Sequence, residues 1–215
     1  MDTKMIYATL PSGLVVREAQ SEDAADMEAV QRACYPTLSE AEIITAAHFA
    51  NHIRLFPEGQ VVIEYNGQVI ASASAIRYHY ADKHHTFLEI SDNLWFGTHE
   101  PDGEWLYGMD MGVAPDYRGK GLARQMYNAR HQVCLRLGLK GQIIVGMLSG
   151  YQTYNSQYDD QYTIEQYYEK VKNGEVFDPT VSVQERNGFT ITSLITEYLD
   201  DPCCGNAGAF LRRSV

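Results

Sequence analysis

The run Val113-Ala114-Pro115-Asp116-Tyr117-Arg118-Gly119-Lys120-Gly121-Leu122-Ala123 constrains this chain more than any other stretch. An apolar segment from Trp105 to Val113, bounded by Gly103 and Pro115, enters it and reads as a buried strand. Leu122, Met126, Ala129, Val133 and Leu137 leave it at helical spacing, and Gly138 supplies the stop. A strand thus passes through a short glycine-rich turn straight into an amphipathic helix. Main-chain N–H groups in such a turn and in the first helical turn have no intrahelical partners. The helix dipole adds partial positive charge there, so the element suits a pyrophosphate. Glycines let phosphates approach closely, and Arg118 and Lys120 add charge-assisted contacts. The pattern lacks both GxxxxGK[ST] and GxGxxG, which weakens nucleoside triphosphate and nicotinamide readings.

The rest of the chain alternates strand and helix signals. Leu14-Val15-Val16-Arg17 opens as a strand, and Ser21 is placed to cap a helix carrying Ala25, Met27, Ala29, Val30 and Ala33. Ser39 and Glu42 stand at capping-box spacing ahead of a second helix with Ile43, Ala46, Ala47 and Ala50, which Pro57 and Gly59 end. Asn66-Gly67 between Val61–Tyr65 and Gln68–Ala73 predicts a type I′ hairpin. The polar stretch from Tyr78 to Gly103 predicts a long loop with some local structure, an insertion over about 79–103. Ile143-Ile144-Val145 reads as a strand. A tyrosine-rich insertion over about 150–177 follows, with a Thr163/Gln166 capping box opening a helix that ends near Asn173-Gly174. A short helix from Pro179 to Asn187-Gly188 and strands over Phe189–Tyr198 and Ala209–Leu211 complete the order. The fold expected is mixed α/β (α+β) over 1–215 as a single domain, with a central, mostly antiparallel sheet and helices on both faces.

Composition narrows the function. The 215 residues are 45% hydrophobic and 21% charged, the balance of a globular chain long enough to bury a full core without disulfides or a structural metal. Seventeen Lys and Arg against 28 Asp and Glu give a net charge of -11, the wrong sign for gripping a phosphate backbone, so no nucleic-acid partner is expected. The acidic field either attracts cationic small molecules or only keeps the chain soluble. Cys34, Cys134, Cys203 and Cys204 form no metal-ligand spacing and read as reduced thiols, Cys203-Cys204 included. His48 and His52, and the group His79, His84 and His85, find no completing carboxylate or thiol, so no metal is expected. No run of 18 apolar residues and no signal-peptide pattern is present, which points to the cytoplasm and away from membranes.

Arg118-Gly119-Lys120-Gly121-Leu122-Ala123 resembles the Q/R-x-x-G-x-G/A acyl-CoA motif of the GCN5-related N-acetyltransferase (GNAT) family. The preceding strand, Val113-x-Pro115, the order of elements and the terminal Asn187-Gly188-Phe189 also fit. A closer likeness is to the acetyltransferase module that some bacteria fuse to a carbon-nitrogen hydrolase domain, carried by Phe56-Pro57-Glu58-Gly59-Gln60, Gly150-Tyr151 and Asp178-Pro179-Thr180. These 215 residues hold no hydrolase portion, so only the transferase fold and chemistry carry over.

What the resemblance implies is a GNAT-like acyl-CoA N-acyltransferase fold, with acetyl-CoA as the acyl donor. The amides of Gly119, Lys120, Gly121, Leu122 and Ala123 would hold its pyrophosphate, with Arg118 beside them. Main-chain groups near Met111 and Val113 would pair with pantetheine, and the motif strand would splay from the next one near Ile144–Met147. A primary amine, probed first as a small cationic metabolite, would be the acceptor; a protein amino group and another acyl chain stay open, and a homodimer is a family habit. Asp110, the only acid inside the motif strand, is either the base that deprotonates the amine or a structural carboxylate bonding nearby backbone. The family's acidic pair is here Met109-Asp110, with only the second member present. The tyrosine expected four residues before Gly188, the acid for the leaving thiolate, is Gln184. Either a tyrosine from Tyr151–Tyr168 substitutes or the thiolate leaves by solvent. That substitution also motivates a second reading, a non-catalytic acyl-CoA sensor. Tyr151, Tyr154, Tyr158 and Tyr162 line either a core-packed helix face or a lid over the acceptor pocket.

Overall fold

Positive φ at Asn66 (53°) and Gly67 (80°) closes the predicted I′ turn, so β3 (Val61–Tyr65) folds back on β4 (Gln68–Tyr78). This hairpin lies within the sheet of a computed structural model that describes residues 4–80, 84–159 and 161–215. The other strands are β1 (Ile6–Thr9), β2 (Val15–Glu18), β5 (Trp105–Val113), β6 (Gly141–Met147), β7 (Thr190–Ile195) and β8 (Gly208–Ser214). Their order is β1-β2-β3-β4-β5-β6-β8-β7, and among the described residues β5 with β6 is the one parallel pair, joined by the motif helix. A mixed α/β chain with a mostly antiparallel sheet is what the sequence pattern implied.

Alternation along β3 sorts the helices to the two faces. Val61 and Ile63 pack with Leu122, Met126 and Ala129 of α4 (Leu122–Leu137), whereas Val62 faces α1 (Ala24–Cys34) and α2 (Ala46–Leu55) through Met27, Val30, Phe49 and Ile53. Buried Arg17 ties β2 to the start of α1, donating to both oxygens of Asp23 (2.6 and 2.8 Å) and to Glu64 (2.8 Å). Asp23, not Ser21, accepts the Gln20 N–H at this entry, because its carboxylate is already fixed by Arg17.

The second helix starts later than its pattern suggests. Ser39–Glu42 closes only a single 3₁₀ turn, since the Glu42 carboxylate accepts from Asp200 N–H (2.7 Å) and Ile43 runs extended into the core. Helix α2 begins at Ala46, with Thr45 N–H donating to the His48 ring. Within the expected loop, Thr86 and Glu89 form a capping box on α3 (Phe87–Ser91), a signal the sequence carries. Strand β1 adds to the expected elements, and β7 stops at Ile195 rather than Tyr198.

The tyrosine-rich segment is not one helix. It divides into α5 (Tyr151–Asn155), a 3₁₀ turn and α6 (Ile164–Lys172), and the last of these carries the predicted Thr163/Gln166 box. Tyr154, Tyr158 and Tyr162 pack against one another with tilted or edge-on rings, while Tyr151 donates to the Tyr162 carbonyl. Fully buried Asp178, before α7 (Val181–Arg186), anchors this insertion by accepting from Gly150, Thr180 and Val181 N–H and from the Tyr167 hydroxyl (2.8–3.0 Å). Asp178→Ala strands all four donors, three of them main-chain, and is expected to lower unfolding free energy by about 3 kcal/mol or more. Asp178→Asn, which keeps one acceptor oxygen, should lie between it and wild type in urea-unfolding midpoint.

Candidate active site

Strands β5 and β6 pair only over Leu106–Gly108 and Gln142–Ile144, after which they part. On its other edge β5 carries a bulge: Ser74 faces Asp110 and Ala75 faces Gly108, leaving Met109 as the extra residue. Arg130 of α4, 2% exposed, enters beneath that irregularity and donates through one Nη to the carbonyls of Ser74 (2.6 Å) and Asp110. The space it uses is the missing side chain of Gly108, where a Cβ would stand 2.6 Å from its Nη1 and 2.8 Å from Ile144. Two residues past Asp110 the other face is equally close, since a Cβ on Gly112 would meet the Cys34 sulfur at 2.8 Å.

Asp110 is buried beside Tyr35, with its Oδ2 lacking any hydrogen-bond partner. Burial pushes its carboxyl up to about 6, against the opposing pull of the Arg130 charge, the Tyr35 hydroxyl and the Met111 N–H. Tyr35 also donates to the Met111 carbonyl (2.8 Å), and the Cys34 thiol and Arg118 Nε donate to the Val113 carbonyl (3.2 and 3.1 Å). A strand residue turns its N–H and C=O to the same edge, so Met111 and Val113 present main-chain groups to the parted side of β5.

The turn that follows is open and glycine-rich. Gly119 and Gly121 both adopt φ +75°, a conformation that favours glycine, and open space lies where their side chains would be. Helix α4 begins after Gly121 with no side-chain cap and no acid in its first turn, leaving the early amides at Leu122 and Ala123 without intrahelical partners. Lys120 is exposed and tied back, its Nζ on the Asp116 carbonyl (3.2 Å) and over the Tyr117 ring. Arg118 lines the site; Lys120 does not.

One cavity of about 490 Å³ reaches the turn at Arg118 and Ala123, and Gly119, Gly121 and Leu122, like Lys120, are not among its lining residues. Its lining includes the parted edges of β5 and β6, Ala123 beside the turn, and Thr37, Phe87, Tyr198 and Asp201. Four buried polar groups lining it keep an atom unpartnered: Gln31 Oε1, Asp110 Oδ2, Arg130 Nε and Gln184 Oε1. Tyr127 and Arg130 were missed from sequence because α4 was read by its apolar stripe. Ala123, Tyr127 and Arg130 form a second stripe at i, i+4 and i+7, and all three line the cavity. None of the tyrosines at 151–168 does.

The remaining sequence suspects serve packing. His52 is buried, stacked on Phe96 and bonded to the Leu94 carbonyl (2.6 Å), and burial holds its pKa near about 3. His84 reaches the Thr196 carbonyl and His85 the Tyr107 hydroxyl. All four cysteines are free thiols. Among the described residues no group of three His, Cys, Asp or Glu is arranged to hold a metal, and no helix is long and apolar enough to cross a membrane.

The Acetyltransferase (GNAT) family matches residues 24–145, which include α1, the hairpin, β5, the turn and most of β6. The chain belongs to this family. The family is one of acetyltransferases. "Probable hydrolase YhcX" of Bacillus subtilis (strain 168) is 32% identical over 203 residues, 94% of this chain and 38% of that protein, so the GNAT chain spans well under half of this relative. The fit is to the fused-module resemblance. "Uncharacterized N-acetyltransferase YkwB" from the same organism is 27% identical over 201 residues, covering 92% of this chain and 87% of that one. Among solved structures, GphF, a GNAT-like decarboxylase in complex with isobutyryl-CoA, superposes with a TM-score of 0.73 at 19% identity, over 93% of this chain and 98% of that one.

The raised carboxyl of Asp110 has a thermodynamic sign. Between the ordinary value of 3.8 and about 6 the folded chain holds a proton that the unfolded chain has released, so this group erodes stability as pH rises through that window. Asp110→Asn is expected to match wild type near about pH 3.5 and to exceed it by up to about 3 kcal/mol near about pH 7.5. Urea unfolding at the two pH values checks it; equal stability at both would remove the buried-carboxyl description.

Proposed function

We propose that this GNAT member transfers an acetyl group from acetyl-CoA to the primary amine of a small cationic metabolite, with Asp110, or a water it positions, as the base. One observation carries the reading. Asp110 is a buried carboxyl with an unpartnered oxygen and a pKa near about 6, in the same cavity as the uncapped start of α4. A carboxyl so tuned is mostly ionised at neutral pH and still basic enough to take a proton from an ammonium group.

The donor fits the residues present. The amides of Gly119, Lys120, Gly121, Leu122 and Ala123 would hold the pyrophosphate, a role supported by the open space beside Gly119 and Gly121 and the uncapped start of α4, and Arg118 would add charge beside it. Met111 and Val113 lie on the stretch of β5 past its last pair with β6, where main-chain groups would pair with pantetheine and offer an oxyanion donor to the thioester carbonyl. Positioning supplies the rest, because an amine attacks a thioester once it is deprotonated and aligned. A cationic acceptor is favoured by the net charge of -11. The acyl-CoA sensor reading is kept alive by Gln184, which cannot act as a general acid.

Thermal shift with acetyl-CoA and isobutyryl-CoA, followed by thiol release over a panel of amines, separates these readings. Binding with turnover on a small polyamine or related amine supports the transfer; binding with no turnover on any amine supports the sensor. Gly121→Glu puts a side chain and a negative charge into the open turn and is expected to abolish the acetyl-CoA shift. Unchanged affinity in that variant would sink the assignment of the turn. Asp110→Asn should lower kcat/KM by about 100-fold while leaving acetyl-CoA binding intact, as loss of a general base does. A wild-type pH–rate profile in this variant would take Asp110 out of the mechanism.

A further inference from the structure

The cavity runs through the sheet. Its lining takes Gln31, Cys34 and Tyr35 from the α1 side and Ala123, Tyr127 and Arg130 from α4 on the opposite face, with the parted strands between them. Asp110 belongs to the α1 face, because it stands two residues before Gly112 with no bulge between them. Val30 and Cys34, which bracket Gln31 on α1, would lie 3.3 and 2.8 Å from a Cβ on Gly112, so the turn of α1 that carries Gln31 rests against this part of β5. Gln31 is 2% exposed and Asp110 8%, and among the described residues neither Gln31 Oε1 nor Asp110 Oδ2 has a hydrogen-bond partner. Neighbouring protons are committed: Tyr35 gives its own to the Met111 carbonyl, Cys34 to the Val113 carbonyl and Thr37 to Asp201. Tyr198 accepts from Tyr107 and keeps its proton, yet reaches neither oxygen. On the α4 face the unpartnered pair is mixed, Arg130 Nε being a donor and Gln184 Oε1 an acceptor. On the α1 face both unpartnered atoms are acceptors, and a ligand that brings two donors recovers the free energy of leaving them unpaired.

We propose that Gln31 Oε1 and Asp110 Oδ2 together hold the nitrogen of the acceptor amine on the α1 face of the sheet, which makes Gln31 the residue that selects primary amines over secondary ones; this rests on the acyl-transfer reading above. The reacting form is the neutral amine. A primary amine then has two N–H groups and one lone pair. One N–H donates to Asp110 and the other to Gln31, and the lone pair is left for the thioester carbonyl in the gap between β5 and β6. As the N–C bond forms, Asp110 takes the proton of the N–H bonded to it. As the C–S bond breaks, its electron pair stays on sulfur, and the thiolate takes a proton from solvent. Asp110 returns its proton to solvent, so the products are the amide and CoA thiol. A secondary amine brings a single N–H, which Asp110 claims, and turns its second alkyl group toward a buried oxygen that needs a donor. That mismatch leaves Gln31 unpaired in the transition state. The Gln31 amide is uncharged, so it orients the nitrogen without competing with Asp110 for the proton.

Two measurements on the full chain test it. Gln31→Met keeps the shape of the side chain and removes the oxygen; because that oxygen has no partner in the protein, the variant should melt no lower than wild type. In the thiol-release assay the best primary amine of the panel is compared with its N-methyl derivative. Wild type should favour the primary amine by about tenfold or more in kcat/KM. Gln31→Met should lose about tenfold on the primary amine, little on the N-methyl derivative and nothing in acetyl-CoA affinity. An equal loss on both amines would mark a packing role and overturn the proposal, as would weakened acetyl-CoA binding or a lowered melting temperature. In titration calorimetry, 1,4-diaminobutane added to the complex of the chain with CoA, which cannot turn over, should bind about tenfold more tightly to wild type than to Gln31→Met. Equal binding to the two proteins, or none to wild type, overturns the proposal. If no amine turns over while that tenfold difference is found, acyl transfer falls and the amine site at Gln31 stands.

Discussion

The hydrogen bonds from Arg130 to the carbonyls of Ser74 and Asp110 are the point on which the site depends. A bulge leaves main-chain groups without ladder partners, and in a buried strand each such group costs free energy comparable to a lost hydrogen bond. Placing a guanidinium there satisfies two carbonyls at once and fixes the extra residue at Met109. The extra residue reverses the alternation of β5. Gly108 thereby faces α4 and Arg130, while Gly112 faces Cys34 on α1. Without that reversal the carboxylate of Asp110 and the main-chain edge at Met111 would not meet in one cavity.

The parting of β5 from β6 follows from the same place. Gly108 and Ile144 are the last paired residues, and the guanidinium lies under them, so the strands diverge over a polar floor rather than over packed apolar side chains. A void with such a floor is kept open because its lining has no partner of its own. The unpartnered atoms of Gln31, Asp110, Arg130 and Gln184 mark a surface made to be completed by another molecule.

What could be read from the sequence was what depends on neighbours in the chain. The Asn66-Gly67 hairpin, the glycine turn before α4 and the Thr163/Gln166 cap each need only a few adjacent residues, and each is found where its signal stands. Ser39–Glu42 carried a similar local signal, but Glu42 is drawn to Asp200, 158 residues away, and no local rule contains that bond. The site divides in the same way. Asp110 could be named as the acid of its strand, yet its burial and its relation to Arg130 depend on a helix that lies beneath a bulge the sequence does not announce. Tyr127 and Arg130 were legible as a helical stripe with Ala123, but a tyrosine and an arginine on a helix are ordinary surface residues until a parted sheet lies over them.

The naked start of α4 has a consequence for the chain as a material. Its first turn carries no capping side chain and no carboxylate, so the sequence withholds what an isolated helix would need there. An anion seated in that turn finishes a piece of secondary structure, and its free energy of binding adds to that of folding. The melting temperature is then a property of the solution as well as of the polypeptide. Two preparations of identical sequence, one stripped of nucleotide and one carrying it through purification, should behave as proteins of different robustness.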